Sequence, residues 1–187
     1  MTKINYGPLS QLIGVWKGDK GLDMAPDPEG SEENPYYETI TFTAIGDVTN
    51  AESQVLAVIH YRQIVQRKSN NKIFHDETGY WHWDEKNGVI MQSLTIPRGV
   101  CLLAGGSHNG EKESDGTTIL NVSASLNGKD WKIIQSPFME STAKTMSFEH
   151  RIQVGNGQLS YSELTVIDIY GKEFQHTDEN ELILISE

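Results

Sequence analysis

The chain of 187 residues carries a single cysteine, Cys101, so no internal disulfide can staple it and a reducing compartment suits it. In the apolar run GVCLLAGG this cysteine reads as a buried structural thiol rather than a nucleophile. No apolar run approaches the roughly 20 residues that span a bilayer. The opening MTKINYGPLSQLIG lacks the apolar centre of a secretion signal, so the cytoplasm is the expected compartment. Positive charge is scarce. Fifteen Lys and Arg against 26 Asp and Glu leave a formal charge of −11, which repels nucleic-acid backbones and anionic membranes alike. The acids concentrate in DMAPDPEGSEENPYYE, residues 23–38, which reads as a solvated acidic loop.

Motifs that announce chemistry are missing as well. The six histidines, at 60, 75, 82, 108, 150 and 176, show no His-x-His or His-x-x-x-His spacing, so no zinc site is predicted. LLAGGSHNG is glycine-rich but lacks the Gly-Lys-Ser/Thr ending of a phosphate loop, and no Gly-x-Ser-x-Gly elbow exists. Glu163 and Asp168 have inward-compatible positions, but nothing in the sequence pairs them.

What is present is regular punctuation. Turns bearing Asn or Gly separate short runs rich in β-branched and aromatic residues, among them YETITFTAI, QVLAVIHYRQIV, KIFHDETGYWHW, GVIMQSLTI, TTILNVSASL and LSYSELTVIDI. The reading is all-β: a single antiparallel up-and-down barrel of about ten strands, one domain over 1–187. GPLSQLIG, residues 7–14, begins a short helix at Pro8 that caps one end. In KIFHDETGYWHW the period of two puts Ile73, His75, Glu77, Gly79, Trp81 and Trp83 on one face. In AKTMSFEHRIQV the apolar face holds Met146, Phe148, His150, Ile152 and Val154, with Arg151 opposite. A closed barrel of this size is wider than side chains easily fill, so a ligand cavity is expected.

Four ordered segments carry a resemblance: GVWKG (14–18), FHDETGYW (74–81), IPRGV (96–100) and HRIQVGNGQLSY (150–161). Together they resemble the nitrobindin family, and the likeness runs from Gly7 to Leu184. The resemblance implies an intracellular calycin-like barrel, akin to lipocalins and fatty-acid-binding proteins. It further implies haem b in the mouth, a proximal histidine near the C-terminus, and nitric oxide or peroxynitrite chemistry. Counted from Gly171, the family's ligand position falls on Thr177, with Leu182 on the last apolar position and His176 one residue early. A one-residue slip turns a strand side chain to the other face, so His176 is expected to point away unless a bulge in HTDEN re-aims it. The family's third glycine is displaced too: Lys20 stands there and Gly21 follows.

The candidate site residues follow. His176 is the candidate haem-iron ligand or else a turn histidine bonded to Asp178; Thr177 holds the family position. His75 is a distal-side residue sharing a face with Trp81, or a core histidine paired with Glu77. Arg98, in a Pro-Arg-Gly turn, is placed to meet a carboxylate or haem propionate. Arg151 and Tyr161 supply polar groups to orient a ligand, and Met91 and Met139 supply soft lining. Trp16 packs across the closed end. Two readings stand: haem binding with nitrobindin-type reactivity, and a non-catalytic carrier or sensor of a fatty acid or other hydrophobic metabolite. Either acts on a small hydrophobic ligand as a monomer or homodimer.

Overall fold

The computed structural model describes residues 4–186. After a 3-10 turn at Gly7–Leu9 the chain runs through β1 (Gly14–Asp27), β2 (Gly30–Asn50), β3 (Gln54–Arg67), β4 (Ile73–Asp84), β5 (Val89–Ile96) and β6 (Val100–Ser107). It continues through β7 (Thr118–Ser125), β8 (Lys132–Gln135), a short helix α1 (Pro137–Thr142), β9 (Ala143–Gly155), β10 (Gln158–Ile169) and β11 (Lys172–Ser186). The strands close into one barrel in the order β1-β11-β10-β9-β7-β8-β6-β5-β4-β3-β2. Among the described residues no helix is long and apolar enough to cross a membrane.

The up-and-down pattern is interrupted once. β6 and β7 meet only at Gly105↔Ser123 and then diverge, and the four-residue β8 fills the gap, antiparallel to β6 and touching β7 in parallel. The glycines of LLAGG serve this corner. A Cβ on Gly105 would strike the Trp131 ring, and one on Gly106 would strike the Asn121 carbonyl. Helix α1 follows because Ser136 caps it, its Oγ accepting from the Met139 amide at 3.3 Å, with Pro137 in its first turn. Cys101 is half-buried rather than buried, since its neighbour Leu102 takes the inward position.

One end of the barrel is plugged. Leu9 and Leu12 are fully buried, and Trp16, 1% exposed, donates from Nε1 to the Leu12 carbonyl at 2.6 Å. Gly7, at φ +49°, lies so close to the Trp83 ring that any side chain would overlap it. The expected capping helix is therefore a single 3-10 turn that does the same work. The middle of the barrel is filled, contrary to the expectation of an open cavity. Phe42, Tyr61, Trp81, Gln92, His150, Ile152 and Tyr161 leave only about 10 Å³, room for at most one water. Solvent reaches the inner face at the other end, where the side chains of His75 and His176 are 28% and 27% exposed.

The displaced glycine has a structural answer. Pairing with β2 shifts between Gly18 and Gly21, and pairing with β11 shifts between Gly18 and Leu22. This bulge at Asp19 and Lys20 absorbs one extra residue, so even positions face inward before it and odd positions after it. Gly21 thereby packs under the buried Tyr36 ring, where a Cβ would collide with three ring carbons. Gly21→Ala is expected to lose about 1–3 kcal/mol in urea denaturation through this overlap. Gly30→Ala, with open space around its Cβ, should be close to neutral; equal stability of the two variants would refute the packing argument.

Candidate functional site

The phase of β11 is fixed by its buried end. Leu182 and Asn180 are 2% and 4% exposed, so the even positions of this strand face the interior. The pairing with β10 runs from Gln158↔Ile183 to Ile169↔Lys172 without a shift, so no bulge alters the phase. His176 and Asp178 consequently face inward, whereas Thr177 is exposed on the outer face. The sequence count from Gly171 is corrected here. Thr177 and Leu182 stand an odd number of positions apart, and an unbulged strand cannot turn both inward.

Inside the open end, His176 Nε2 donates to Asp23 Oδ1 at 2.5 Å and lies 3.6 Å from Asp178 Oδ2. Asp23, nearly buried, has its second oxygen held by Asn34 Nδ2 at 3.0 Å. It faces inward because of the β1 bulge, so the run read as a solvated acidic loop is instead a hairpin with an inner face. The same hairpin turns Asn34, Tyr36 and Glu38 into the barrel. In the ladder His150 pairs with Glu163, Glu163 with Asp178, and Asp178 with Asp23. Three carboxylates thus stand side by side on successive strands, an arrangement that like-charge repulsion disfavours.

Below this row lie two hydrogen-bonded networks. Glu38, 3% exposed, accepts from Asn180 Nδ2 at 2.7 Å, Gln63 Nε2 at 2.6 Å and the Tyr161 hydroxyl at 3.0 Å. Tyr161 also meets the Tyr36 hydroxyl at 2.7 Å. The second network starts at His75, whose Nε2 is 3.4 Å from Glu77 Oε2, and passes from Glu77 to Tyr61 through a short hydrogen bond. Gln92 Nε2 then donates to the Tyr61 oxygen at 2.9 Å, and His150 Nδ1 lies 3.0 Å from Gln92 Oε1. Since Tyr61 donates to Glu77, its oxygen accepts from Gln92. The Gln92 carbonyl is left to accept from His150 Nδ1–H. His150, 8% exposed, therefore presents a bare Nε2 lone pair with no partner.

Burial pushes the Glu38 carboxyl up to about 7 despite its three donors. Burial, followed by the neighbouring Asp23 charge, pushes Asp178 up to about 8. Glu163 is raised well above the ordinary carboxylate range by burial and then by Glu77, Asp178 and Glu38. His150 is pushed down to about 4 by burial and is neutral at physiological pH. Among the described residues, five inward carboxylates (Asp23, Glu38, Glu77, Glu163 and Asp178) stand against one inward strong cation. This is Arg67, which lies 4.9 Å over the Phe74 ring and pairs with none of them.

The structure gathers some of the sequence candidates and scatters others. His75, Trp81, Tyr161 and His176 share the interior; Trp81 and Tyr161 are buried in its filled middle. Arg98 sits exposed in the β5–β6 turn at the open rim, donating to the Phe74 carbonyl at 3.4 Å. Met91 is not cavity lining: Ile90 and Gln92 on either side take the inward positions, and Met91 is turned outward. Arg151 is exposed on the outer face, where it borders a groove of about 900 Å³ together with Thr177. Met139 of α1 packs against the core from the side. Asp23, Glu38, Asp178 and Glu163 were not read as site residues. For Glu38 the signal was available, since it is in phase with the apolar Ile40 and Phe42.

A closed, almost wholly antiparallel barrel, plugged at one end and polar at the other, is an architecture that suits small-ligand binding. The chain belongs to the THAP4-like, heme-binding beta-barrel domain family, whose sequence model matches residues 5–183. No curated protein matches it in sequence. In fold it is similar to Rv2717c from M. tuberculosis, with a TM-score of 0.69 at 19% identity over 94% of each chain.

The residues at the open end match a haem only in part: His176 faces inward, as a haem ligand would. The imidazole nitrogen that faces the interior is engaged by Asp23, with Asp178 beside it. A porphyrin held at this nitrogen would meet the carboxyl groups of Asp23, Asp178 and Glu163 as well as Phe174 on the same inner face.

The raised carboxyls set a pH dependence. Groups whose folded-state pKa exceeds the unfolded value stabilise fully at low pH, and that contribution is lost as pH rises through the folded value. For Glu38 and Asp178 this loss falls between about pH 4 and pH 8. Thermal unfolding without added ligand should drop by about 4–8 °C from pH 5 to pH 8, corresponding to a loss of about 2 kcal/mol. Glu38→Gln should flatten part of that slope; a melting temperature that rises over this range contradicts the assignment.

Proposed function

We propose that the protein binds a small, positively charged guest at the open end of its barrel, as a single-domain cytoplasmic protein without a role on nucleic acid or membranes. The observation that carries this is the row Glu163, Asp178 and Asp23 on adjacent strands, facing inward with no Lys or Arg paired to it among the described residues. Repulsion and desolvation make such a row unfavourable when empty, and a cation relieves both. Clusters of perturbed carboxyls in a concave place are a recurring mark of function.

The guest implied by the family resemblance is haem b, with nitric oxide or peroxynitrite reactivity. The inward face of His176 favours it, and the Asp23 bond and acidic wall weigh against it. A fatty acid is disfavoured twice. Its carboxylate would meet Glu38, Glu163 and Asp178, and the filled middle of the barrel has no space for its chain.

The test is a thermal-shift series at pH 8 and 150 mM salt with spermidine, zinc chloride, palmitate and ferric haem. A guest at a hundredfold excess over its dissociation constant adds about 2.7 kcal/mol, or about 5–10 °C. Spermidine or zinc should raise the melting temperature, Asp178→Asn should remove the gain, and palmitate should do nothing. Stabilisation by palmitate, or a Soret shift with haem that His176→Ala abolishes, would replace the cation by that ligand.

A further inference from the structure

We infer that Asp23, His176 and Asp178 form a binding site for one divalent first-row transition cation, of the zinc, cobalt or manganese class, at the barrel's open end. The inference rests on the reading that this end is the ligand site and specifies the guest.

The three side chains come from both ends of the sequence and meet through the β1–β11 seam, where Asp23 pairs directly with Asp178. One ligand atom of each lies within 4.8 Å of the other two. Their nearest atoms converge on His176 Nε2, at 2.5 Å for Asp23 and 3.6 Å for Asp178. Oxygens and an imidazole nitrogen around one point suit a borderline cation, which holds such ligands at about 2.0–2.2 Å. The proton between His176 and Asp23 then occupies the place the metal would take, and binding releases it. Two carboxylates and one neutral imidazole balance a dication in charge.

Two features lie beside the triad. Asn34 donates to the Asp23 oxygen that faces away from His176, which fixes the carboxylate's orientation as an outer-shell partner of a metal site does. In the same in-register row, next to Glu163, His150 is more than nine-tenths buried. Its Nε2 has no hydrogen-bond partner, and it stands two strands from Asp178 on the same inner face. A haem would need the same His176 nitrogen, so the two guests compete for it.

Calorimetric titration of the full chain with zinc chloride and cobalt chloride, at pH 7.5 in 150 mM salt, tests the assignment. One equivalent should bind, with visible cobalt absorption bands appearing in step. Asp178→Asn and His176→Ala should each weaken binding at least tenfold while retaining the wild-type circular dichroism. Asn34→Ala, which leaves all three ligands in place, should weaken it about tenfold. Absence of saturable one-to-one binding by the wild type overturns the inference, as does affinity unchanged in both Asp178→Asn and His176→Ala. If spermidine still stabilises the protein while zinc and cobalt do not bind, the metal site falls and the cation-binding reading stands.

Discussion

The period of two along each strand is the constraint on which the site depends. A barrel closed all round leaves each strand one inner and one outer face, and a buried residue anywhere on an unbulged strand fixes the assignment along its length. Leu182 and Asn180 fix it on β11, so Asp178 and His176 have no choice but to face inward. On β1 the bulge at Asp19 and Lys20 reverses the phase, and that reversal brings Asp23 to His176. Without it Gly21 would not receive the Tyr36 ring, and Tyr36 could not reach Tyr161. One inserted residue thus shapes both the packing under Tyr36 and the chemistry beside it.

The interior changes character along its axis. At the plugged end Leu9, Leu12, Trp16 and Trp83 make an apolar core. In the middle, glutamates are buried but satisfied, Glu38 by three donors and Glu77 by Tyr61 and His75. At the open end the acids outnumber the donors. Stability is concentrated in the first two zones, so the third can carry unfavourable charge without unfolding the barrel. This division explains how the chain keeps the fold of its family while its open end carries a row of carboxyl groups.

Much of the fold was legible because turn residues and alternating strands recur at short intervals. The closed end was legible from Pro8 and the Gly14–Gly18 element. β8 and α1 were not, since four residues of KIIQ and six of PFMEST are too short to show a period. The site was less legible, for two physical reasons. Acidic residues 23–38 look like surface because charge normally faces water, yet Asp23 and Glu38 lie on the inner face of a hairpin. The histidine was misjudged because counting from the Gly171 turn carries no information about which face is buried, whereas Leu182 does. Reading backwards from Leu182 gives the observed orientation.

The central claim is that the open end holds a metal cation on Asp23, His176 and Asp178. Anomalous diffraction at the zinc edge, from crystals grown with equimolar zinc and ferric haem together, tests it most directly. The account predicts a zinc peak about 2.0–2.2 Å from His176 Nε2 and the two carboxylates, at the distances such ligands adopt. An iron peak on His176 with porphyrin density across the carboxylate row, and no zinc between the aspartates, would contradict it.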